Sequence, residues 1–458
     1  MKKFISVILS AFLLLSAFTL LCGCGGVSTL SGKVDRREIV SAEDISRELK
    51  WFLGTEDSDK GNRGNRTRTS KSEREAAEKL HDNFTSDGYE CFSVTPLELT
   101  EFDVTIKSSA STFTGTTTQV TRKSQNVEIK FGGNGKSGKQ IIIGACYSNS
   151  YGSYDSESTG GTSTGAYDNA TGVATVLAIM KYFKDNAEYL RANIDFDVTF
   201  VFFGCSGEFN SYGATIYAEK MDSNVRLNTA AMFNISKLGG ERAYLYARDY
   251  KTEREDFLRS KAADCGYEFY SIPDNMPIIE AEYIEGVGYT HYGMIGDHSV
   301  FTEWGINSVS ISSGYYGGFN IADAEKKGSI NLSGTSADTY ANLLKLRPDY
   351  AKQGSDAASL IISAVQSEGF ISAMSAPDKD YSFWLEPLWA QLILLGVIVL
   401  LGVLVVVLVK VFEKKYPYKP VIKKMKIAVF GPEYESQNED EILIDLKPND
   451  SNNNPFDI

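Results

Sequence analysis

Three short stretches of this chain carry residues of the right type to bind a metal. They are Asp168 in "GAYDNATG", Glu208 in "VFFGCSGEFNSYGA" and His298 in "GDHSVFTEWGI". Two carboxylates and an imidazole can bind a metal or move protons. Cys146 in "GACYSNS" adds a thiol, which ligates as its thiolate. Each residue also has a structural reading. Asp168 could cap a helix running from Ala170, His298 could sit satisfied at a helix start, and Cys146 could be a small buried residue. Cys146 could also touch, or be disulfide-bonded to, Cys205 at the end of the next strand. His81 and His291 stand in no motif and read as structural or surface residues. The N-x-S/T triplets at Asn65, Asn83, Asn169, Asn234 and Asn331 read as chance.

These residues need elements that bring them together. "NVEIKF", "KQIIIGACY", "DVTFVFFGC", "TAAMFNI" and "INSVSIS" read as strands. In "TGVATVLAIMKYFKD" the residues Val173, Val176, Leu177, Met180 and Phe183 recur at helical spacing. Ala76, Ala77, Leu80 and Phe84 share one face of an earlier helix, stopped at Gly88. Continuous apolar strands alternating with amphipathic helices indicate an α/β fold with a largely parallel sheet covered on both faces. Ligands of such sheets bind beyond the carboxyl ends of the strands, where the candidate residues lie. The segment "YSNSYGSYDSESTGGTSTG" reads as a long loop over that edge, with Asp155 as a distant replacement ligand.

Over roughly residues 45–365 the chain resembles the zinc aminopeptidases with two co-catalytic metals. Relatives of that family include glutaminyl cyclases and transferrin-receptor-type ectodomains. "GAYDNATG" and "GDHSVFTEWGI" carry the resemblance, and "RTSKSEREAAEKL" and "TSADTYANL" match weaker segments. It implies a zinc-exopeptidase-like three-layer fold and aminopeptidase hydrolysis of peptide bonds. In the family two zinc ions, about 3.5–4 Å apart, share a carboxylate and clamp the attacking water.

Carried onto this chain, the resemblance makes Asp168 the bridging carboxylate and His298 the last histidine ligand. Cys146 replaces the first histidine, Ser148 the acid that orients it, and Ser236 in "NISKLGG" another metal acid. Counting back five residues from Gly213 makes Glu208 a ligand and puts Gly207 where the proton-accepting Glu belongs. A shift of one residue would make Glu208 the base and Phe209 the ligand position. Asp297 and Glu303 are conceivable substitutes for the base. One zinc, on Asp168, Glu208 and His298, is thus expected before two, and no zinc is the other outcome. The resemblance leaves a one-zinc hydrolase, a cyclase-like acyl transferase and a non-catalytic binding or assembly module all open.

The 458 residues carry a formal net charge of −13, which argues against nucleic acid as a partner. Residues 1–24 read as an export signal, with Cys24 in a lipoprotein-like box as a candidate for acylation. Residues 25–44 read as a linker and 45–370 as the ectodomain. Residues 388–409 carry one polar side chain, Gln391, and are long enough to span a bilayer. Trp384 and Trp389 precede the lysines of Lys410 to Lys426, which places the C-terminus in the cytoplasm. The tail over 410–458 is basic, then acidic and Asn-rich, and reads as solvated. The expected setting is a bacterial membrane, with the ectodomain outside meeting peptide or protein.

Overall fold

The computed structural model describes residues 36–55, 65–109, 117–149, 163–206, 211–247, 252–271, 279–284, 288–293, 296–314, 332–377 and 388–415. The export signal, Asp155, Gly207, Glu208, Phe209 and everything after Lys415 lie outside them. The chain divides into two compact units, one spanning Thr29–Lys379. The other contains, of the described residues, the helix Leu388–Lys415.

The first unit begins with helices α1 (Ala42–Leu53) and α2 (Lys71–Thr85). Ser41 opens α1 with a reciprocal capping box to Asp44, which satisfies two backbone donors at the helix start. Helix α2 buries Ala76, Ala77, Leu80 and Phe84, as their spacing indicates, and also Glu73. The short strand β1 (Ser93–Val94) leads to a hairpin of β2 (Glu101–Ser109) and β3 (Thr117–Gln125). Strands β4 (Val127–Phe131), β5 (Gln140–Cys146), β6 (Asp197–Phe203) and β7 (Thr229–Ser236) follow, with helix α3 (Thr171–Asp185) between β5 and β6. Helix α4 (Tyr212–Lys220) lies between β6 and β7. Strand β8 (Arg242–Tyr246), helix α5 (Glu253–Cys265) and the hairpin β9 (Ile279–Ile284) and β10 (Gly288–Gly293) come next. Helix α6 (Asp297–Glu303), strand β11 (Ser308–Gly314) and helix α7 (Tyr350–Val365) complete the part that matters for the site.

The main sheet has the order β1-β4-β6-β5-β7-β11-β8. Its four middle strands are parallel, and the outer strands join antiparallel. Side chains alternate between the faces with the two-residue period of a strand. Ile141, Ile143, Phe200 and Phe233 pack in the large core with Val173, Val176 and Met180 of α3 and Leu360 and Ile361 of α7. Ile142, Val201, Phe203 and Met232 form a second core with Ala214 and Ala218 of α4 and Phe301 of α6. Burial on both faces is why these strands read as unbroken apolar runs.

The four described cysteines, Cys91, Cys146, Cys205 and Cys265, are free, so the Cys146–Cys205 disulfide considered from sequence does not form. Helix α8 (Leu388–Lys415) is 28 residues long. Among the described residues no helix is long and apolar enough to cross a membrane. Part of α8, residues 388–394 included, has no described side-chain environment, so the spanning expectation rests on the sequence.

Candidate metal centre

Four parallel strands release the chain at one edge of the sheet, and the described candidates are Asp168, Cys146 and His298. Asp168 lies in a single turn, Ala166–Ala170, between the long segment after β5 and the start of α3. It does not cap α3, whose N-cap residue is Ala170 without a side-chain bond. The Asp168–Asn169 peptide is cis. Asn169 fastens this turn to two strand ends. Its Nδ2 donates to the carbonyls of Cys146 and Ile235, each at 3.1 Å, and its Oδ1 accepts from Lys237 N at 2.8 Å.

A second set of residues holds the turn from behind. The Asp338 carboxylate accepts the backbone N–H groups of Tyr167 at 2.8 Å and Asp168 at 3.0 Å. Burial first, and then the charge of Asp168, pushes its carboxyl up to about 7 against those hydrogen bonds. Ser333 donates to Asp168 Oδ2. Arg66 is 1% exposed and spends its fork on three carbonyls, Tyr147 at 2.9 Å, Thr164 at 2.9 Å and Gly165 at 3.2 Å. Its guanidinium lies 4.7 Å over the ring of Phe52. Burial lowers it to about 10, opposed by the nearby charges of Asp338, Cys146 and Asp168. Gly165 has φ +58, and a side chain there would meet Asn149, Asp168 O and Arg66.

The positions where the resemblance expects the first histidine and its acid are engaged otherwise. Cys146 Sγ donates to Ser206 O at 2.8 Å. Burial, with Asp297 and Asp168 adding to it, raises this thiol well above its ordinary range, so it is a protonated donor. Ser148 donates to Glu73 Oε1 at 2.5 Å. Glu73 reaches this point from the first turn of α2 and also accepts Cys205 N at 2.7 Å, Thr69 N at 2.6 Å and Ser124 Oγ at 3.0 Å. One buried carboxylate therefore joins the ends of β5 and β6, strand β3 and the start of α2. Burial raises its pKa while the four hydrogen bonds oppose the rise. Gly204 is required beside this knot, because a Cβ there would sit 2.2 Å from Gln125 O.

His298 and Asp297 open α6. Asp297 is buried, accepts a hydrogen bond from Ser206 Oγ and is held at about 6, mainly by burial, with Asp168 contributing after the bonds that lower it. His298 stands edge-on to Tyr246, with ring centroids 5.4 Å apart. It packs against Gly296, whose missing Cβ would lie 3.2 Å from His298 Nδ1 and 3.3 Å from Asn234 Nδ2. His298 thus stands beside Tyr246 of β8 and Gly296, while Asp168 is bonded to Ser333 and Asp338. Ser236 is half-buried at the end of β7. Glu208 and Gly207, on which the register argument turns, lie outside the described residues.

Among the described residues no group of three or more His, Cys, Asp or Glu side chains is placed to hold a metal ion. The donor chemistry gives the reason for half of the site. Cys146 is bonded to Ser206 O, Ser148 is bonded to Glu73, and Ser236 brings a hydroxyl where the resemblance expects a carboxylate. Among the described residues, Cys146, Ser148 and Ser236 do not supply the imidazole and acids that a two-metal centre of this kind uses.

Sequence reasoning missed Arg66, Glu73, Ser333 and Asp338. Glu73 precedes Ala76 and Ala77 by three and four residues, so a carboxylate on the apolar stripe of α2 was a readable signal. Asp338 lies in "TSADTYANL", a stretch that already carried part of the resemblance.

A largely parallel sheet between helical cores, with an Asp-bearing turn at its carboxyl edge, is an α/β fold like that of zinc exopeptidases. Residues 130–349 match the model of Peptidase family M28. A zinc aminopeptidase from Bacillus subtilis has a similar structure, with 14% identity, a TM-score of 0.50, and coverage of 73% of this chain and 97% of that one. A glutaminyl cyclase from an Acidobacteriales bacterium gives 14% identity and a TM-score of 0.48, covering 75% and 97%. The glutaminyl cyclase of Porphyromonas gingivalis gives 14% identity and a TM-score of 0.44, covering 73% and 98%. No curated protein sequence matches the chain.

Proposed function

We propose that this protein is a membrane-anchored, extracytoplasmic peptidase-like protein that binds peptide or protein ligands without two-metal aminopeptidase hydrolysis. One observation carries the reading: Cys146 and Ser148, at the positions that the resemblance gives to the first histidine and the acid orienting it, are engaged with Ser206 and Glu73, and Ser236 stands for a metal acid. The M28 match supports zinc as the metal class of the domain. Residues 388–409 anchor the chain, with the C-terminus cytoplasmic, on the strength of their sequence.

A second reading is favoured by the burial of both Asp168 and His298 at the strand-end edge. In it, one zinc bound by Asp168, Glu208 and His298 serves a hydrolase or a cyclase-like acyl transferase. When bound, that zinc would supply Lewis-acid polarisation of a carbonyl.

Full-length protein in detergent micelles, equilibrated with excess zinc and passed through a desalting column, tests both readings. Elemental analysis and a panel of aminoacyl amides and N-terminal glutamine peptides are the measurements. The binding-module reading expects no turnover and at most one zinc per chain. Turnover that disappears in Glu208→Ala, together with a zinc lost in His298→Ala, would replace it with the one-zinc enzyme.

A further inference from the structure

The sheet edge opposite the candidate site carries three exposed apolar side chains close to the point where the chain leaves the domain. Val225 and Leu227 belong to the short helix Ser223–Asn228, which leads directly into β7, and they are 42% and 76% exposed. Trp304 ends α6 and is 38% exposed. The guanidinium of Arg226, between the two aliphatic residues, lies 4.4 Å over the Trp304 ring, so the two elements meet here. Lys139, just before β5, donates to Leu227 O at 3.3 Å and brings a second cation. Single exposed apolar residues are ordinary on a protein surface, but a Trp and two aliphatics gathered at one place need an explanation.

The end of the domain is fixed beside them. Asn307, three residues after Trp304, donates through Nδ2 to the carbonyls of Met374 at 2.7 Å and Ala376 at 3.0 Å. Arg254 Nη1 donates to Ala376 O at 3.3 Å. Asn307 O accepts Met232 N of β7 at 2.8 Å, which ties this exit to the amino ends of the parallel strands. Pro377 is the last described residue before Leu388, where the apolar run read as a membrane anchor begins. A stretch of that length reaches at most about 40 Å when fully extended.

The chemistry of the patch selects its occupant. An indole, two aliphatic side chains and two long cations that can turn their charges outward are the types that settle at a bilayer–water boundary. A polyanion would need a net positive field. Exposed Glu303, next to Trp304, and Asp222, which caps the short helix, offset Arg226 and Lys139. Entry of apolar groups, not attraction to anionic headgroups, is therefore the source of binding. A protein partner would also suit a Trp and an Arg, but the lipid surface is what the chain's own anchor brings within reach.

We infer that this edge rests on the bilayer surface, with Trp304, Val225 and Leu227 entering the headgroup region and the strand-end site turned away from the lipid. The inference rests on the membrane anchoring proposed above, and the test separates the two.

Full-length protein carrying Leu227→Cys is labelled with a nitroxide and reconstituted in phosphatidylcholine vesicles. Electron paramagnetic resonance reads the label's collisions with oxygen, which concentrates in lipid, and with a water-soluble nickel chelate present on both sides. The unsubstituted protein, treated identically, gives the background from native thiols. Leu99→Cys is the aqueous control: Leu99 is 71% exposed, and neighbouring Thr100 bonds to Asn126 O beside the carboxyl end of β6. Oxygen collisions are expected to dominate at residue 227 and nickel collisions at residue 99. Val225→Glu, at an exposed position, is expected to move the label at 227 into water, because a charge is costly in the apolar region. An unchanged thermal midpoint verifies folding of each variant. Nickel-dominated collisions at 227, in protein that a carbonate wash leaves in the vesicles, overturn the docking and keep the anchor. Release by the wash overturns both. A label shielded from both reagents overturns the proposal in favour of a protein interface, and oxygen-dominated collisions that persist in Val225→Glu overturn it as well.

Discussion

Glu73→Ala should be among the most damaging single substitutions in the ectodomain. The carboxylate accepts four hydrogen bonds, two from backbone N–H groups (Thr69, Cys205) and two from hydroxyls (Ser124, Ser148). Removing it leaves buried donors without acceptors at the start of α2 and at the ends of β5 and β6. Each orphaned buried donor costs about 1–3 kcal/mol. The hydroxyls can rotate toward other acceptors, whereas the two N–H groups are fixed by the backbone. The expected loss is therefore about 3–5 kcal/mol, a large part of a typical domain's stability. Glu73→Gln should lose less, about 1–3 kcal/mol, because each carboxylate oxygen faces one backbone N–H and an amide must set its NH2 against one of them. Urea unfolding of the purified protein, followed by tryptophan fluorescence and circular dichroism, measures both. Losses under about 1 kcal/mol for both variants would show that Glu73 is not the joint described here. A pH series adds a signed check. The folded pKa of Glu73 is raised, so its contribution is fully present below the unfolded value and is lost as pH rises through the folded one. The stability of Glu73→Gln relative to wild type should accordingly improve as pH increases from 4.5.

Arg66→Lys should destabilise by about 3 kcal/mol or more, as an ammonium cannot reproduce a planar fork bonded to three carbonyls, and the melting midpoint reports it. Asp297 and Asp338, raised to about 6 and about 7 in the folded state, bind protons more tightly than the unfolded chain does. Their contribution is therefore complete below about 3.8 and is lost as pH rises through 6 and 7. The limiting slope is about 1.4 kcal/mol per pH unit for each group. Unfolding midpoints should fall between pH 5 and pH 8, and Asp338→Asn should flatten the upper part of that fall; an unchanged profile would contradict its raised carboxyl.

By itself the amino-acid sequence determined the layered α/β architecture, because strands buried on both faces must be continuous apolar runs and covering helices must carry a stripe. All five strands read from those runs are present, and helix α3 matches its apolar stripe from Thr171 to Asp185. Sequence also placed Asp168, Cys146 and His298 at the carboxyl edge, since each follows a strand or opens a helix there. The β2–β3 hairpin was not legible, for its residues are largely polar and belong to a separate two-stranded sheet. Which partner each site residue has was decided by tertiary structure alone. Glu73 meets Ser148 across 75 positions of sequence, and Asp338 meets Asp168 across 170. No local pattern encodes such pairings. They exist because a buried carboxylate must find donors wherever folding brings them, and folding brings them to the edge where the strands end.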